Sequence, residues 1–215
     1  NSWYFFVGEK RFGPYDEIVS TIPRPQLEVL LPSQILGRDT EPINNHQSQW
    51  TVLLRCNRLH LNGDMYEFQD DVLKTAIFES KKNNHNHSVE GVDDWVLHAQ
   101  IPWSQDNIEL DKKTVAETVL ASFSRLLQVH VLPIQTQVHR WRFAHVTSIH
   151  KPEEDRDYDY NSDFKLYLAG DAFSFFGKND QIEHSSFRIR HTGIQRAVLS
   201  GQGTAAAILR NYPMP

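Results

Sequence analysis

The last quarter of the sequence holds the pattern that most constrains the fold, a strand closed by Gly-Asp and followed later by a helix rich in small residues. Residues 164–169 (FKLYLA) predict a short buried strand, and Gly170 and Asp171 follow it directly. In open α/β sheets, ligands bind outside the carboxyl ends of strands, and glycine lets a ligand approach the backbone closely. Asp171 is therefore a candidate ligand-binding carboxylate. The alternative is a turn residue that caps nearby backbone N–H groups.

The start of the final helix is a second candidate for binding. Thr192 and Gln195 fit a capping box, with threonine at the N-cap and glutamine three residues later, and they predict a helix over 193–211. The free N–H groups and the positive end of the helix dipole favour an anion or a developing negative charge there. Gly193 and Ile194 lie in the same first turn. The alternative is an ordinary capped helix, because every helix has such an end.

Residues 201–206 (GQGTAA) match the G-x-G-x-x-A pattern of dinucleotide-binding loops, but the context is wrong. That motif needs a strand immediately before it and an acidic residue about 20 positions later. Here it falls within the predicted final helix. We therefore interpret its small residues as one side of a helix that packs closely against the sheet.

The rest of the chain predicts an α/β fold with α+β character, in which strands dominate the middle. Strands are expected at the chain start and at 17–22, 50–55, 74–79, 95–100 and 138–146. Helices are expected at 25–31 and 113–127, the second one capped by Asp111. The connecting segments expected to be polar loops are 33–49, 81–87 and 151–163.

Two predicted strands carry candidate substrate-contacting side chains. Alternation puts His139, Trp141 and Phe143 on one face of the strand over 138–146, with Arg140 and Arg142 on the other. The aromatic face is a candidate cavity wall. The alternative is that Trp141 belongs to the core and the two arginines pair with acidic residues.

A further histidine, His98, shares a face with Val96 and Gln100 on the strand over 95–100. It could reach the same cavity as the aromatic face. The alternative is a polar residue satisfied within the sheet.

Composition excludes several classes of function. The net charge is −5, from 22 basic and 27 acidic residues, which argues against non-specific nucleic-acid binding. No apolar run is long enough to span a membrane, so no membrane partner is expected. Cys56 is the only cysteine, which rules out an internal disulfide and favours a reducing compartment, cytoplasmic or organellar. The histidines lack the spacing of a zinc site, so no metal is expected.

The sequence resembles the FAD-dependent amine-oxidase superfamily, and its renalase-like members in particular. The resemblance rests on four motifs in family order, residues 16–23, 95–104, 139–144 and 169–201. In the last motif, a strand ending in Gly-Asp leads to a helix that opens with a Gly-hydrophobic-x-x-Ala pattern, here Gly193 to Ala197, and continues to Ser200-Gly201. Each motif is weak alone, whereas the ordered set is specific.

The resemblance implies FAD as cofactor, with Gly170 and Asp171 near the ribityl chain and diphosphate. It places Gly193, Ile194 and Gln195 near the isoalloxazine. The implied reaction is hydride transfer from a dihydronicotinamide-type or amine substrate to flavin, which dioxygen reoxidises. No catalytic side chain is implied, because in a flavoenzyme the cofactor performs the hydride chemistry.

The resemblance also implies a domain organisation. Residues 1–32 and 151–215 are expected to belong to an FAD-binding domain and residues 33–150 to a substrate-binding domain. The N-terminal G-x-G-x-x-G unit is absent from this sequence. We therefore expect a preceding dinucleotide-binding segment, or a companion chain, as partner beside the small-molecule substrate.

An inactive family member or a fragment that serves as a structural or interaction subunit is the alternative function. It is motivated by the absent glycine unit and by residues 174–191, which separate Asp171 from the final helix by more than the family pattern leads us to expect.

Overall fold

The computed structural model describes residues 2–36, 46–80, 91–147, 156–172 and 193–212. The chain divides into two compact units, one formed by Asn1–Asn45 with Val146–Pro215 and one by His46–His145. The divisions between these compact units fall near residues 45 and 146, and the assignment of an FAD-binding and a substrate-binding domain stays a prediction. The described residues form a mixed α/β structure with three sheets, which agrees with the predicted class.

The elements follow one another in an irregular mixture of strands and helices. The strands are β1 (Trp3–Val7), β2 (Lys10–Tyr15), β3 (Ile18–Ser20), β4 (His46–Asn57), β5 (Met65–Glu67), β6 (Leu73–Phe78), β7 (Val92–Ala99), β8 (Pro133–Val146), β9 (Asp159–Asn161) and β10 (Leu166–Leu168). The helices are α1 (Arg24–Leu30), α2 (Ser33–Leu36), α3 (Ile101–Asp106), α4 (Lys112–Leu127) and α5 (Gly193–Asn211).

The second unit is built on a five-stranded sheet in the order β5-β6-β7-β4-β8. Strands β4, β6 and β7 pair antiparallel, and alternate side chains along β7 point to opposite faces. Trp95 and Leu97 point to the face that packs against α4, where Val119 and Phe123 of the helix are fully buried. This face of the sheet and the helix form the main core.

The opposite face of this sheet is less covered. Leu53 pairs with Val96, which in turn pairs with Ile77, so these apolar side chains form a row across three strands. The side chain of Leu53 is 41% exposed, although it lies in the middle of the sheet. We call this surface, which faces away from α4, the open face.

Helix α4 has the boundaries that the sequence predicted to within one residue. The Asp111 side chain accepts hydrogen bonds from the backbone N–H groups of Lys113 and Thr114, both at 3.0 Å, so the predicted N-cap is confirmed. The helix ends at Gln128, which adopts the left-handed conformation at φ 53°. The apolar stripe at helical spacing faces the sheet, as expected.

The first unit contains a three-stranded sheet in the order β3-β10-β9. Strand β10 pairs parallel with β3 and antiparallel with β9. Leu166 and Leu168 pack on one side of the sheet with Leu27 of α1 and Leu36 of α2. Tyr167, between them in sequence, packs on the other side with Ala207 of α5.

A separate hairpin formed by β1 and β2 belongs to the same unit. The indole N–H of Trp3 donates to the carbonyl oxygen of Phe164 at 2.6 Å, which ties the hairpin to the segment that precedes β10. The rings of Phe5 and Phe12 stack across the two strands at 4.8 Å. The strand prediction at the chain start thus holds, and β2 is an additional strand.

Several loop predictions were wrong. The segment predicted as a loop over 33–49 contains α2 and the beginning of β4, and the strand predicted over 17–22 is limited to β3. The segment predicted as an exposed charged loop over 151–163 contains β9. Tyr158 is buried there, and the ring of Tyr160 lies 4.3 Å from that of Tyr167. Tertiary packing of tyrosines thus outweighs the local charge pattern. Residues 81–87 lie outside the described residues.

Cys56 is predicted to be chemically inert in the native protein. It is fully buried in β4, and burial, with a smaller contribution from the negative charges of Asp93 and Asp94, raises the pKa of the thiol to about 12. Because the thiolate is the reactive form, alkylation at pH 8 should label Cys56 only after denaturation. Mass spectrometry after iodoacetamide treatment measures this. Rapid, complete labelling of the native protein would contradict the buried placement.

Candidate functional site

The carboxyl end of β10 forms one side of the candidate site. The N–H of Ala169 donates to the carbonyl oxygen of Ser20 at 3.0 Å, which continues the pairing of β10 with β3. Gly170 follows with φ 135°, a conformation that L side chains rarely adopt, so glycine is required there. Among the residues that the structure describes, no atom lies within 4 Å of a Cβ added to Gly170. The described part of the chain therefore leaves room for a ligand to approach the backbone of Gly170.

The first turn of α5 lies against Asp171. A Cβ placed on Gly193 would be 3.2 Å from Oδ2 of Asp171, so a larger residue at the helix start would force this carboxylate to shift by a few tenths of an ångström. The Nε–H of Arg196 donates to the backbone oxygen of Asp171 at 3.1 Å. The acid that follows the last strand and the beginning of the final helix are therefore in contact.

A second link joins the helix to the strand end two turns after Gly193. The N–H of Gly170 donates to Oγ of Ser200 at 2.9 Å. Ser200 is completely buried, and Thr204 and Ala207 continue its face of the helix. The helix is thus attached to both residues of the Gly-Asp pair.

The glycine-rich pattern at 201–206 lies inside α5, which confirms that it is no nucleotide-binding loop. A Cβ placed on Gly203 would be 3.2 Å from Cβ of Asp157 and 3.5 Å from the ring of Tyr158. The small residue therefore allows close packing between the helix and the segment that leads into β9.

These residues have features that an FAD site requires. Gly170 leaves the backbone accessible, Asp171 can accept hydrogen bonds from hydroxyl groups, and the first N–H groups of α5 have no acceptors within the helix. The positive end of the helix dipole points to the same place. Ile194 is 78% exposed, so its side chain is accessible at this end of the helix. Thr192 lies outside the described residues, and the capping box with Gln195 stays a prediction.

In the second unit, the three candidate substrate-contacting residues of β8, His139, Trp141 and Phe143, lie on the open face. The rings of His139 and Trp141 are 4.1 Å apart, which puts them on the same side of β8, and alternation gives Phe143 the same side. Trp141 is 49% exposed, so its interpretation as a core residue was wrong. The ring of Phe143 meets that of His46 edge-on at 5.7 Å.

His98 lies on the open face of β7, and Nδ1 of its ring is 3.1 Å from Oγ1 of Thr51 on the neighbouring strand. It is therefore hydrogen-bonded within the sheet, as the alternative interpretation had it. A hydrogen-bonded histidine can still line a cavity.

Arg140 and Arg142 point to the opposite face of β8 and share one carboxylate. Their guanidinium groups donate to Glu109 at 2.7–3.0 Å, and Arg140 also lies over the ring of Trp50. Hydrogen bonding from Arg142 lowers the pKa of the Glu109 carboxyl below its ordinary value. For the two arginines, the alternative interpretation, pairing with acidic residues, is confirmed.

A shallow pocket on the open face was not foreseen. It has a volume of about 280 Å³, with Leu53 and Val96 among its apolar lining. The ion pair between Arg55 and Asp94 forms one wall, with nitrogen–oxygen distances of 2.8 and 3.0 Å. The other polar lining residues are Gln135, Gln137 and Glu79. Gln135 and Gln137 alternate along the chain before His139, so the sequence indicated that they share one face of a strand. It did not indicate the pocket, because the other lining residues come from strands whose register the sequence does not specify.

No helix in the described part of the chain has the length and apolar character needed to cross a bilayer. No cluster of three or more histidine, cysteine, aspartate or glutamate side chains suited to a metal ion occurs among the same residues.

Comparison with known proteins identifies a shared fold. No family model matches the sequence. Among solved structures, the chain is similar to the crystal structure of a "putative protoporphyrinogen oxidase" from Exiguobacterium sp. 255-15, with a TM-score of 0.60 and 16% sequence identity. The match covers 92% of this chain and 42% of the other, so the chain spans less than half the length of that protein. The fold of this mixed α/β chain is thus similar to the part of that protein's fold that the match covers.

Proposed function

We propose that the protein is an FAD-dependent oxidoreductase of the amine-oxidase and renalase type. The observation that carries the proposal is the contact between the Asp171 carboxylate and the start of α5 at Gly193, beside the open backbone of Gly170. The structural similarity to a protein named as an oxidase supports the same class of reaction. The proposed cofactor-binding residues are Gly170, Asp171, Thr192, Gly193, Ile194 and Gln195.

Each part of this site has a separate role in the proposal. Asp171 accepts hydrogen bonds from hydroxyl groups of the ribityl chain, and Gly170 allows the cofactor to approach the strand end. The N–H groups at the start of α5 lie near the isoalloxazine, where their positive potential favours the negative charge of a reduced ring. A bound flavin would supply the hydride acceptor that amino-acid side chains lack.

The proposed substrate is a dihydronicotinamide-type compound or an amine, with dioxygen as the final oxidant. The open face of the second unit supports this part of the proposal. It carries the exposed indole of Trp141, together with His98 and Phe143. Aromatic side chains provide large flat surfaces for a ring or an alkyl amine, and the flavin performs the chemistry.

The proposal includes a partner segment that completes the nucleotide site. Strand β3 lies at an edge of its sheet, and the N–H and C=O groups of Val19 point away from β10 toward that edge. No described strand pairs with this edge, and the unpaired N–H and C=O groups of an edge strand can pair with another strand. A strand from a preceding dinucleotide-binding segment, or from a companion chain, would pair with it.

The 215-residue chain alone is predicted to bind FAD poorly. One carboxylate and one helix start cannot replace the backbone cradle that normally holds the pyrophosphate. Titration of the purified chain with FAD, followed by flavin fluorescence, should give a dissociation constant weaker than micromolar. Micromolar or tighter binding by this chain would contradict the need for a partner segment.

The natural full-length protein provides the direct test of the function. It should purify with bound flavin or take up added FAD, and the bound flavin should be bleached anaerobically by a dihydronicotinamide compound or an amine. Admission of air should restore the absorption. A colourless full-length protein that does not take up FAD would favour the alternative, a structural or interaction subunit.

A further inference from the structure

Ser200 lies in the middle of α5, and its buried hydroxyl group forms a hydrogen bond with the backbone at the end of β10. Its side chain is completely excluded from solvent, and Oγ accepts the N–H of Gly170 at 2.9 Å. The preceding amide, that of Ala169, still pairs with Ser20 of β3. Gly170 is thus the first residue after the pairing of β10 with β3, and its N–H finds its acceptor in Oγ of Ser200.

The position of Ser200 along the helix matters because Gly193 lies seven residues earlier. Residues seven apart fall on the same face of an α-helix, so the two contacts lie on one line along α5. Gly193 meets the side chain of Asp171, and Ser200 holds the backbone of Gly170. Together they determine how the first turn of the helix lies against the Gly-Asp pair.

The backbone at this point needs such a restraint. Gly170 has φ 135° and no side chain of its own that limits the rotation of the following residue. A partly buried N–H that loses its acceptor is destabilised, and the segment would turn to find another one. Rotation at Gly170 would move the carboxylate of Asp171 away from the helix start.

We propose that Ser200 is a positioning residue of the flavin site, which aligns the Asp171 carboxylate with the first turn of α5. This inference rests on the proposed FAD function of the same residues. Ser200 acts through Gly170 and does not touch the cofactor. Its hydroxyl therefore sets the affinity for FAD and the environment of the bound ring, beyond any contribution to the stability of the helix.

Thr204 provides a matched control. It lies one turn after Ser200 on the same buried face, and Oγ1 donates to the backbone oxygen of Ser200 at 2.8 Å, a bond within the helix. Thr204→Val removes a buried hydroxyl of the same helix and keeps the bond between Ser200 and Gly170. Ser200→Ala removes that bond, and Ser200→Thr retains a hydroxyl as the conservative variant.

The first measurement is independent of FAD. Hydrogen–deuterium exchange of the 215-residue chain should show that the amide of Gly170 exchanges about three- to tenfold faster in Ser200→Ala than in the parent protein or in Thr204→Val. Equal exchange rates in the parent protein and in Ser200→Ala would overturn the inference, whatever the protein binds.

The second measurement uses the full-length protein and FAD. Ser200→Ala should raise the dissociation constant of FAD about tenfold and shift the absorption band of the bound flavin, whereas Thr204→Val should leave both unchanged and Ser200→Thr should restore affinity at least in part. Equal weakening by Ser200→Ala and Thr204→Val would reduce Ser200 to a structural role. Failure of the parent protein to bind FAD would instead contradict the proposed function. The exchange experiment would still show whether Ser200 restrains the amide of Gly170.

Discussion

Replacing Asp171 by alanine should weaken the binding of FAD to the full-length protein about 10- to 100-fold, because a hydrogen bond to a charged group contributes about 1.5–3 kcal/mol. The carboxylate lies beside Gly193 and outside the pairing of β10, so its removal leaves the sheet and the helix intact. Thermal unfolding should therefore occur close to the midpoint of the parent protein. Titration of the apoprotein with FAD gives the affinity, and circular dichroism gives the stability.

The matched control for this experiment is Asp163→Ala. Asp163 is an exposed carboxylate in the same unit, in the turn that precedes β10, and its removal changes the net charge by the same amount. It should leave FAD affinity within about twofold of the parent protein, because an exposed charge at a distance is screened by salt. If Asp171→Ala and Asp163→Ala had the same affinity for FAD as the parent protein, Asp171 would be a turn residue.

A second large effect is expected at Trp95, in the core of the other unit. Its side chain is 2% exposed and packs against the rings of Phe78, Phe123 and Tyr66, with centroids 4.8, 5.4 and 6.1 Å away. Trp95→Ala should lower the free energy of unfolding of this unit by about 3–5 kcal/mol, because it leaves a cavity between the sheet and α4. Urea denaturation followed by far-ultraviolet circular dichroism measures the loss.

Trp95→Phe distinguishes the contribution of side-chain volume to the free energy of unfolding from the contribution of the indole N–H. The indole N–H of Trp95 is buried and has no hydrogen-bond acceptor among the described residues. Phenylalanine removes that unsatisfied donor, which offsets part of the lost contact area, so the destabilisation should stay below about 1.5 kcal/mol. A loss as large as that of Trp95→Ala would mean that the indole N–H does have an acceptor.

The sequence was informative where local chemistry and spacing decide the structure. The N-cap at Asp111 and the apolar stripe of α4 predicted that helix almost to its ends. The small residues at 201–206 were correctly assigned to a helix, because no strand directly precedes them. The strand before Gly170 and the helix after Thr192 were also predicted, although their contact is a tertiary feature.

The errors have a common physical origin in tertiary packing. The segment containing Tyr158 and Tyr160 is rich in charge and was predicted to be exposed, but its tyrosines pack against Tyr167. The sequence also left open whether Trp141 belongs to the core or to an exposed face, and the structure places it on the open face. Which face of a sheet a helix covers depends on contacts between distant elements, and alternation along one strand does not specify it.

The site itself was partly predictable. Asp171 and Gly193 could be proposed because a Gly-Asp pair after a strand and a helix start are recognisable chemical features. Ser200 could not, since a serine within a helix has many roles and its bond to Gly170 spans 30 positions of the chain. The pocket on the open face could not be predicted either, because its wall is an ion pair between neighbouring strands, Arg55 with Asp94.

A crystal structure of the full-length protein with FAD is the most direct test of the central claim. The account predicts that a carboxylate oxygen of Asp171 lies within hydrogen-bonding distance of a ribityl hydroxyl, and that the first turn of α5 faces the pyrimidine side of the isoalloxazine. A flavin bound elsewhere, with Asp171 and Gly193 in contact with each other and with solvent only, would contradict it.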